Sequence, residues 1–410
     1  MPWLGTATHA RWLEQETDRL LAFGRASAVE PGAFARQDDS GRPVDGPWEL
    51  WITCRMTHVH ALGHLLGRPG SAALVDHGIA ALTGLFADRE HGGWFAQVDR
   101  DGRPVDSAKL AYPHAFVVLA AASATAAGRP GARGLLDAAL AVQTQHFWDD
   151  EAGMVVEQWD ASFTELDPYR GVNAVMHTVE AYLAAADVTG ERVWLDRALR
   201  MTERVVHGFA RAGSWLLPEH YDARWNPLLE YNADAPAHPF RPFGATIGHG
   251  LEWARLTLHV RAALAARGDA APDWMLDDAT QLFDAAVVRG WDVDGAPGFV
   301  YTVDRAGAPV VRERMHWVAA EAVAAAAALH AATGEARFDA WYTRWWEYIG
   351  TYHLDREGGS WWHELGTDNA VSRTVWSGKA DLYHAVQATL IPRLPLTPAL
   401  APALARGLLT

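Results

Sequence analysis

A single cysteine, Cys54, stands in 410 residues, which rules out an internal disulfide and any metal site built from several thiolates. Lysine is almost as scarce: Lys109 and Lys379 stand against 33 arginines. Basic residues are outnumbered altogether, 35 Lys and Arg facing 50 Asp and Glu for a formal net charge of −15. Nucleic acids and anionic membranes need a basic face to neutralise their phosphates, so neither is expected as a partner. Long apolar runs are missing too. The longest candidate, 318–328, is Ala-rich and broken by Glu321, too short and too polar for a membrane span. The opening MPWLGTATHARWLEQETDRLL has no basic segment leading into an apolar one. No secretory signal is read there, and a cytoplasmic protein is expected.

What the chain has in quantity is apolar and aromatic side chains. Half of it is hydrophobic and 20 residues are Trp, enough for a large core. Length alone suggests two or three domains, but a repeat overrides that. Six segments open with a polar cluster and run into small apolar residues: RMTHVHALGHL (55–65), YPHAFVVLAAA (112–122), VMHTVEAYLAAA (175–186), GHGLEWARLTL (248–258), MHWVAAEAVAAAAAL (315–329) and DLYHAVQATL (381–390). Aligned on His60, His114, His177, His249, Val318 and His384, they are spaced by 54, 63, 72, 69 and 66 residues. Such a period holds two helices and a hairpin. Between these segments, 10–28, 72–86, 133–147, 191–212, 274–290 and 335–353 carry apolar residues at three- and four-residue steps, the amphipathic helical pattern. Five of these outer segments are followed by aromatic, alternating runs such as HGGWFAQVDRDGRPV and GAPGFVYTVDRAGAPVV, which read as hairpin strands. The expectation is an all-α protein: one domain, 1–392, of six helix pairs closed into a ring, with short β-hairpins over its mouth. A Pro- and Ala-rich tail, 393–410, is expected to pack loosely.

The ring's mouth is where the chemistry would gather. Among 19 histidines, His114, His177, His249 and His384 fall at the same point of four repeats and would converge on one cavity. The bland reading is that each helix opening merely needs a polar cap there. Glu180 and Glu252, three residues after His177 and His249, lie one helical turn from them, and Glu321 holds a similar place in the fifth repeat. A carboxylate beside an imidazole fixes its tautomer and tunes its pKa. The spacing is HxxE rather than HExxH, and the other openings offer Arg55, Tyr112 and Trp317 instead of further carboxylates, so no metal and no other cofactor is expected. Aromatic walls from Trp51, Tyr112, Trp317 and Trp376 beside charged groups suit a sugar. Two imidazoles working as base and acid near neutral pH, with Arg55 to hold a developing oxyanion, describe aldose–ketose isomerisation or epimerisation at the second carbon.

The motifs RMTHVHALGHL, KLAYPHAF, RGVNAVMHTVEAYLAA, FGATIGHGLEWARL, RMHWVAAEA and TVWSGKADLYHAVQA together resemble the N-acylglucosamine 2-epimerase superfamily, and most closely its mannose isomerase and sulfoquinovose isomerase branch. The likeness runs from about residue 45 to 390. It implies an (α/α)6 barrel and a metal-free passage through a cis-enediol(ate), most simply between D-mannose and D-fructose. Carried over, the acid/base pair falls on His249 and His384, the third histidine on His177 and the arginine on Arg55. Tyr112, Asn173, Glu252, Trp317, Glu321 and Trp376 match other pocket positions. A 2-epimerase, or an isomerase preferring lyxose or a sulfonated sugar, uses the same chemistry; the sulfonate reading would call on Lys379 as the anion's partner. A glycoside hydrolase on the same toroid would need Glu252 and Glu321 to face each other across the sugar. Oligomeric state is left open between monomer and homodimer.

Overall fold

The computed structural model describes residues 2–410. Its helices fall in two concentric sets. The inner set is α2 (Leu50–Leu65), α4 (Ala111–Ala126), α6 (Val172–Thr189), α8 (Ile247–Ala266), α10 (His316–Thr333) and α12 (Tyr383–Leu390). The outer set is α1 (Ala7–Gly24), α3 (Ser71–Thr83), α5 (Ala132–Val142), α7 (Arg192–Thr202), α9 (Trp274–Gly290) and α11 (Ala336–Tyr348). Each inner helix packs on the next, from α2 through α12 and back to α2, and most on an outer partner. This is the (α/α)6 barrel that the repeat and the resemblance both implied. Among the described residues no helix is long and apolar enough to cross a membrane.

Burial explains the composition of each set. Along α10, every residue from His316 to Leu329 except Trp317 is buried, so an Ala-rich surface is needed on all sides to let neighbours approach. At one such approach, between α2 and α3, a Cβ on Gly78 would lie only 1.9 Å from the Thr57 hydroxyl. The outer helices bury one stripe; α11 buries Phe338, Tyr342, Trp345 and Trp346 and exposes its charged face.

The strands do more than the expected hairpins. Two residues immediately before each of five inner helices pair, antiparallel, with the loop of the following repeat: Trp48 with Val98, Lys109 with Trp159, Arg170 with Tyr221, Ala245 with Val303 and Arg314 with Leu365. The sixth link closes the circle, the Lys379 amide donating to the Gln37 carbonyl at 2.9 Å. The ladders thus stitch repeat to repeat around the mouth and set where each inner helix begins. Both lysines serve this rim. Lys109 Nζ bonds Asp88 at 2.7 Å and Lys379 Nζ bonds Asp355 at 2.5 Å, each fully buried over an aromatic ring.

The tail departs from expectation. Residues Leu400–Ala405 form a thirteenth helix, α13, whose Ala401, Pro402, Ala403 and Leu404 are buried against α2, α4 and α6. Its prolines break local periodicity, yet its small apolar residues fit the floor where inner helices end.

Candidate active site

Because the rim strands fix the first residue of each inner helix, positions can be counted from there. The second residues of α2, α4, α6, α8 and α10 are Trp51, Tyr112, Asn173, Gly248 and Trp317. The sixth, one turn deeper, are Arg55, Phe116, His177, Glu252 and Glu321. The ninth include His58, Glu180 and Arg255. This is the true register, and it corrects the one read from histidines alone. His114 is the fourth residue of α4 and turns away from the axis: its Nε2 accepts the Trp94 amide at 3.2 Å and its Nδ1–H donates to the Leu110 carbonyl at 2.7 Å. It is a buried packing residue. The expectation that it joins the other histidines at the cavity is not met, because it starts two positions earlier in its helix than His177, and a two-residue offset turns a helical side chain to the opposite face.

A cavity of about 690 Å³, counted with its mouth, opens at the centre of the ring. Trp51, Arg55, Tyr112, Asn173 and His177 line it on one side, and His249, Glu252, Trp317, Trp376 and His384 on the other. Glu321 is absent from the lining; it lies beneath, as a partner for other groups. Gly248 has a specific task in this wall. A Cβ there would come within 2.3 Å of the Trp317 ring, so only glycine lets that indole lie between His249 and His384, 5.2 and 5.6 Å from their ring centres. Gly248→Ala should therefore displace Trp317 and lower kcat/KM by about tenfold or more, since small misplacements at a reacting centre are costly. Steady-state kinetics beside an unchanged circular dichroism spectrum would check it, and unaltered kinetics would refute it.

Two imidazoles in the cavity are built alike. His384 Nδ1 lies 2.9 Å from Glu321, and His249 Nδ1 lies 3.0 and 2.9 Å from the two oxygens of Glu219. Each carboxylate takes the Nδ1–H, so each Nε2 is left as a free base facing the cavity. Burial lowers the His384 pKa, with Glu321 opposing it. His177 has no such partner within hydrogen-bond distance; burial takes it down to about 3, so it stays neutral. Arg55 donates to Tyr112 Oη at 2.8 Å and pairs with Asp381 at 3.2 Å, which aims a fixed positive charge across the floor of the site.

Below lies a second polar layer. Arg255 donates to Glu321 at 2.9 Å and to Glu252 at 3.5 Å. Glu180 accepts from the Tyr383 hydroxyl and, at 2.9 Å, from Gln387. Burial and the neighbouring Glu321 push the Glu252 carboxyl well up, whereas for Glu180 and Glu321 burial is outweighed by Arg255 and the hydrogen bonds around them, and both carboxyls are lowered. The sets His177, Glu180, Glu252 and Glu252, Glu321, His384 are close enough to gather round an ion. A guanidinium already bonded to members of both makes them poor cation cages.

Several site residues escaped the sequence reading. Glu219 and Asp381 sit just outside regular elements, with no helical spacing to mark them. Phe240 and Tyr301 come from loops, and His316 and His363 stack face to face at 3.7 Å on the cavity wall. Only the first position of α10 could have flagged His316. Lys379, by contrast, is spent on Asp355 and lies outside the cavity lining, so the sulfonate-binding role read for it finds no support.

Known proteins are similar to this one along nearly the whole chain. The sequence is 54% identical over 405 residues to the D-mannose isomerase of Thermobifida fusca, covering 98% of each chain. It is 52% identical over 404 residues to that of Pseudomonas cannabina pv. alisalensis, covering 98% of this chain and 97% of the other. A crystal structure of a D-mannose isomerase superposes with a TM-score of 0.86 at 28% identity, covering 92% of this chain and 96% of the other. The N-acylglucosamine 2-epimerase (GlcNAc 2-epimerase) family model matches residues 32–388, a span that holds all six inner helices nearly to the end of α12, and the chain belongs to that family.

Proposed function

We propose that the protein interconverts D-mannose and D-fructose by acid–base proton transfer through a cis-enediol(ate), with no bound metal. The observation that carries this reading is the pair of carboxylate-held imidazoles, His249 with Glu219 and His384 with Glu321, presenting free nitrogens to one cavity beside Arg55. One imidazole moves the proton between the second and first carbons while the other serves ring opening. The chemistry balances without an outside reagent: the base takes the C2 proton and electrons pass to the C1 carbonyl oxygen, the C2 hydroxyl then gives its proton to that oxygen, and the base returns its proton to C1 as the C2 oxygen becomes the ketone. Arg55 faces the oxygen on which charge develops, where a preorganised cation acts most strongly. Trp51, Trp317 and Trp376 offer flat faces for the sugar's CH surface.

A hydrolase needs two carboxyl groups across the scissile bond. Glu321 is instead beneath the cavity, engaged by His384 and Arg255, which favours proton shuttling over glycoside cleavage.

The test is incubation of EDTA-treated protein with mannose, fructose, glucose and lyxose. Mannose should give fructose as its first product, at a rate unchanged by the chelator. Glucose as the main early product would move the protein to 2-epimerisation, and activity lost to EDTA and restored by one divalent ion would overturn the metal-free route.

A further inference from the structure

The loop from Asp222 to Gly244 carries Pro239, Phe240 and Pro242 into the cavity wall. Phe240 is 36% exposed while lining the cavity, so it stands between substrate and solvent. Its ring meets Trp376 at 5.2 Å, Trp51 at 5.7 Å and Tyr112 at 5.9 Å, all edge-on, making an aromatic roof shared between this loop, the loop that carries Trp376, and the inner helices α2 and α4. Beyond these ring contacts, the residue after Phe240 ties the loop to the barrel: the Arg241 guanidinium lies 4.1 Å over the Tyr169 ring, donates to Tyr231 Oη at 3.3 Å and reaches Glu157 at 4.0 Å. A relay supports the same stretch, the Tyr169 hydroxyl donating to His220 Nδ1 at 2.6 Å and His220 Nε2–H donating to the Pro242 carbonyl at 2.8 Å. The backbone amides of Phe240 and Arg241 both donate to His238 Nδ1, at 3.2 and 3.0 Å.

We propose that Arg241 is a positioning residue, anchored on Tyr169 and Glu157, that holds Phe240 as the closing face of the sugar site. It touches no reacting atom; it acts through Phe240. The inference rests on the cavity being the sugar site, as proposed above. The anchor should respond to pH. Burial pushes the Glu157 carboxyl up to about 7, against the pull of Arg241, the Gly171 amide and Arg170, with Asp167 adding to the rise. Above that pH Glu157 is ionised and pairs with Arg241; below it the pair loses its negative partner and the roof loosens.

The experiment measures KM and kcat for mannose in the native protein and in Arg241→Ala, Glu157→Gln, Phe240→Ala and the Arg241→Ala/Phe240→Ala double variant, at pH 6 and pH 8. Arg241→Ala should raise KM about tenfold with kcat nearly kept, the signature of lost binding that ground and transition states share. The isosteric Glu157→Gln should raise KM relative to native several-fold at pH 8 and hardly at pH 6, a pH dependence that a merely structural role would not produce. In the Phe240→Ala background, Arg241→Ala should add little, because residues acting through one another are not additive. An unchanged KM in Arg241→Ala, a Glu157→Gln effect equal at both pH values, or full additivity with Phe240→Ala would each overturn the proposal. Failure of the native protein to turn over mannose would instead overturn the assignment of the sugar site, and is read before any variant.

Discussion

Replacing His384 or His249 with alanine is expected to lower kcat at least ~10²-fold while the fold stays intact, the usual contribution of a positioned general acid or base. Both rings lie in the wall of a preformed cavity rather than in the core, and each hands its Nδ1–H to a carboxylate. The loss is therefore chemical. Glu321→Gln and Glu219→Gln should reduce kcat as well, because an amide can turn its NH₂ toward the ring and favour the wrong tautomer. Rates at saturating mannose, with circular dichroism and thermal melting as controls, decide the matter. Near-native kcat in His384→Ala or His249→Ala would remove that residue from the mechanism.

Arg255→Leu should cost about 3–5 kcal/mol of stability, the penalty for removing one partner of a buried ionic cluster. Arg255 and Glu321 are both almost fully buried, with 2% and 1% of their side chains exposed, so solvent cannot replace the lost cation. Against burial, which pushes upward, Arg255 helps to hold the Glu180 and Glu321 carboxyls below the ordinary glutamate range. In the native protein those two groups add stability that is present above the unfolded pKa near 4.3 and is lost as pH falls through their lowered folded values. Without Arg255 the sign reverses: folded carboxyl pKa values rise above the unfolded one, and stability falls as pH climbs through the gap. The variant should consequently lie closer to the native protein at pH 5 than at pH 8 in denaturant unfolding. A variant within about 1 kcal/mol of native at both pH values would contradict the cluster's role.

Helix period and repeat spacing made the barrel legible from sequence. The six inner and six outer segments matched observed helices because apolar steps along a chain are a local consequence of which face must be buried. The inner helices announced themselves by being Ala-rich, since only small residues tolerate neighbours on every side. Much of the site was legible for a similar reason: His177, His249, Glu252, Trp317 and Arg55 sit in the first two turns of helices whose starts are marked by strand-like runs.

What the tertiary structure decided was direction and partnership. His114 looked equivalent to His177 on the page, yet it begins two positions earlier in its helix and points outward. Glu321 was read as one more pocket position, yet it lies beneath the cavity, 2.9 Å from His384 Nδ1. Glu219, Asp381 and Phe240 carry no periodic mark, because loops are placed by ladders between repeats rather than by their own sequence. The two lysines show the same limit. Their rarity was visible, but only the closed ring reveals that each is a buried clip on the rim, since a side chain's partner across 21 or 24 residues is fixed by packing and not by local pattern.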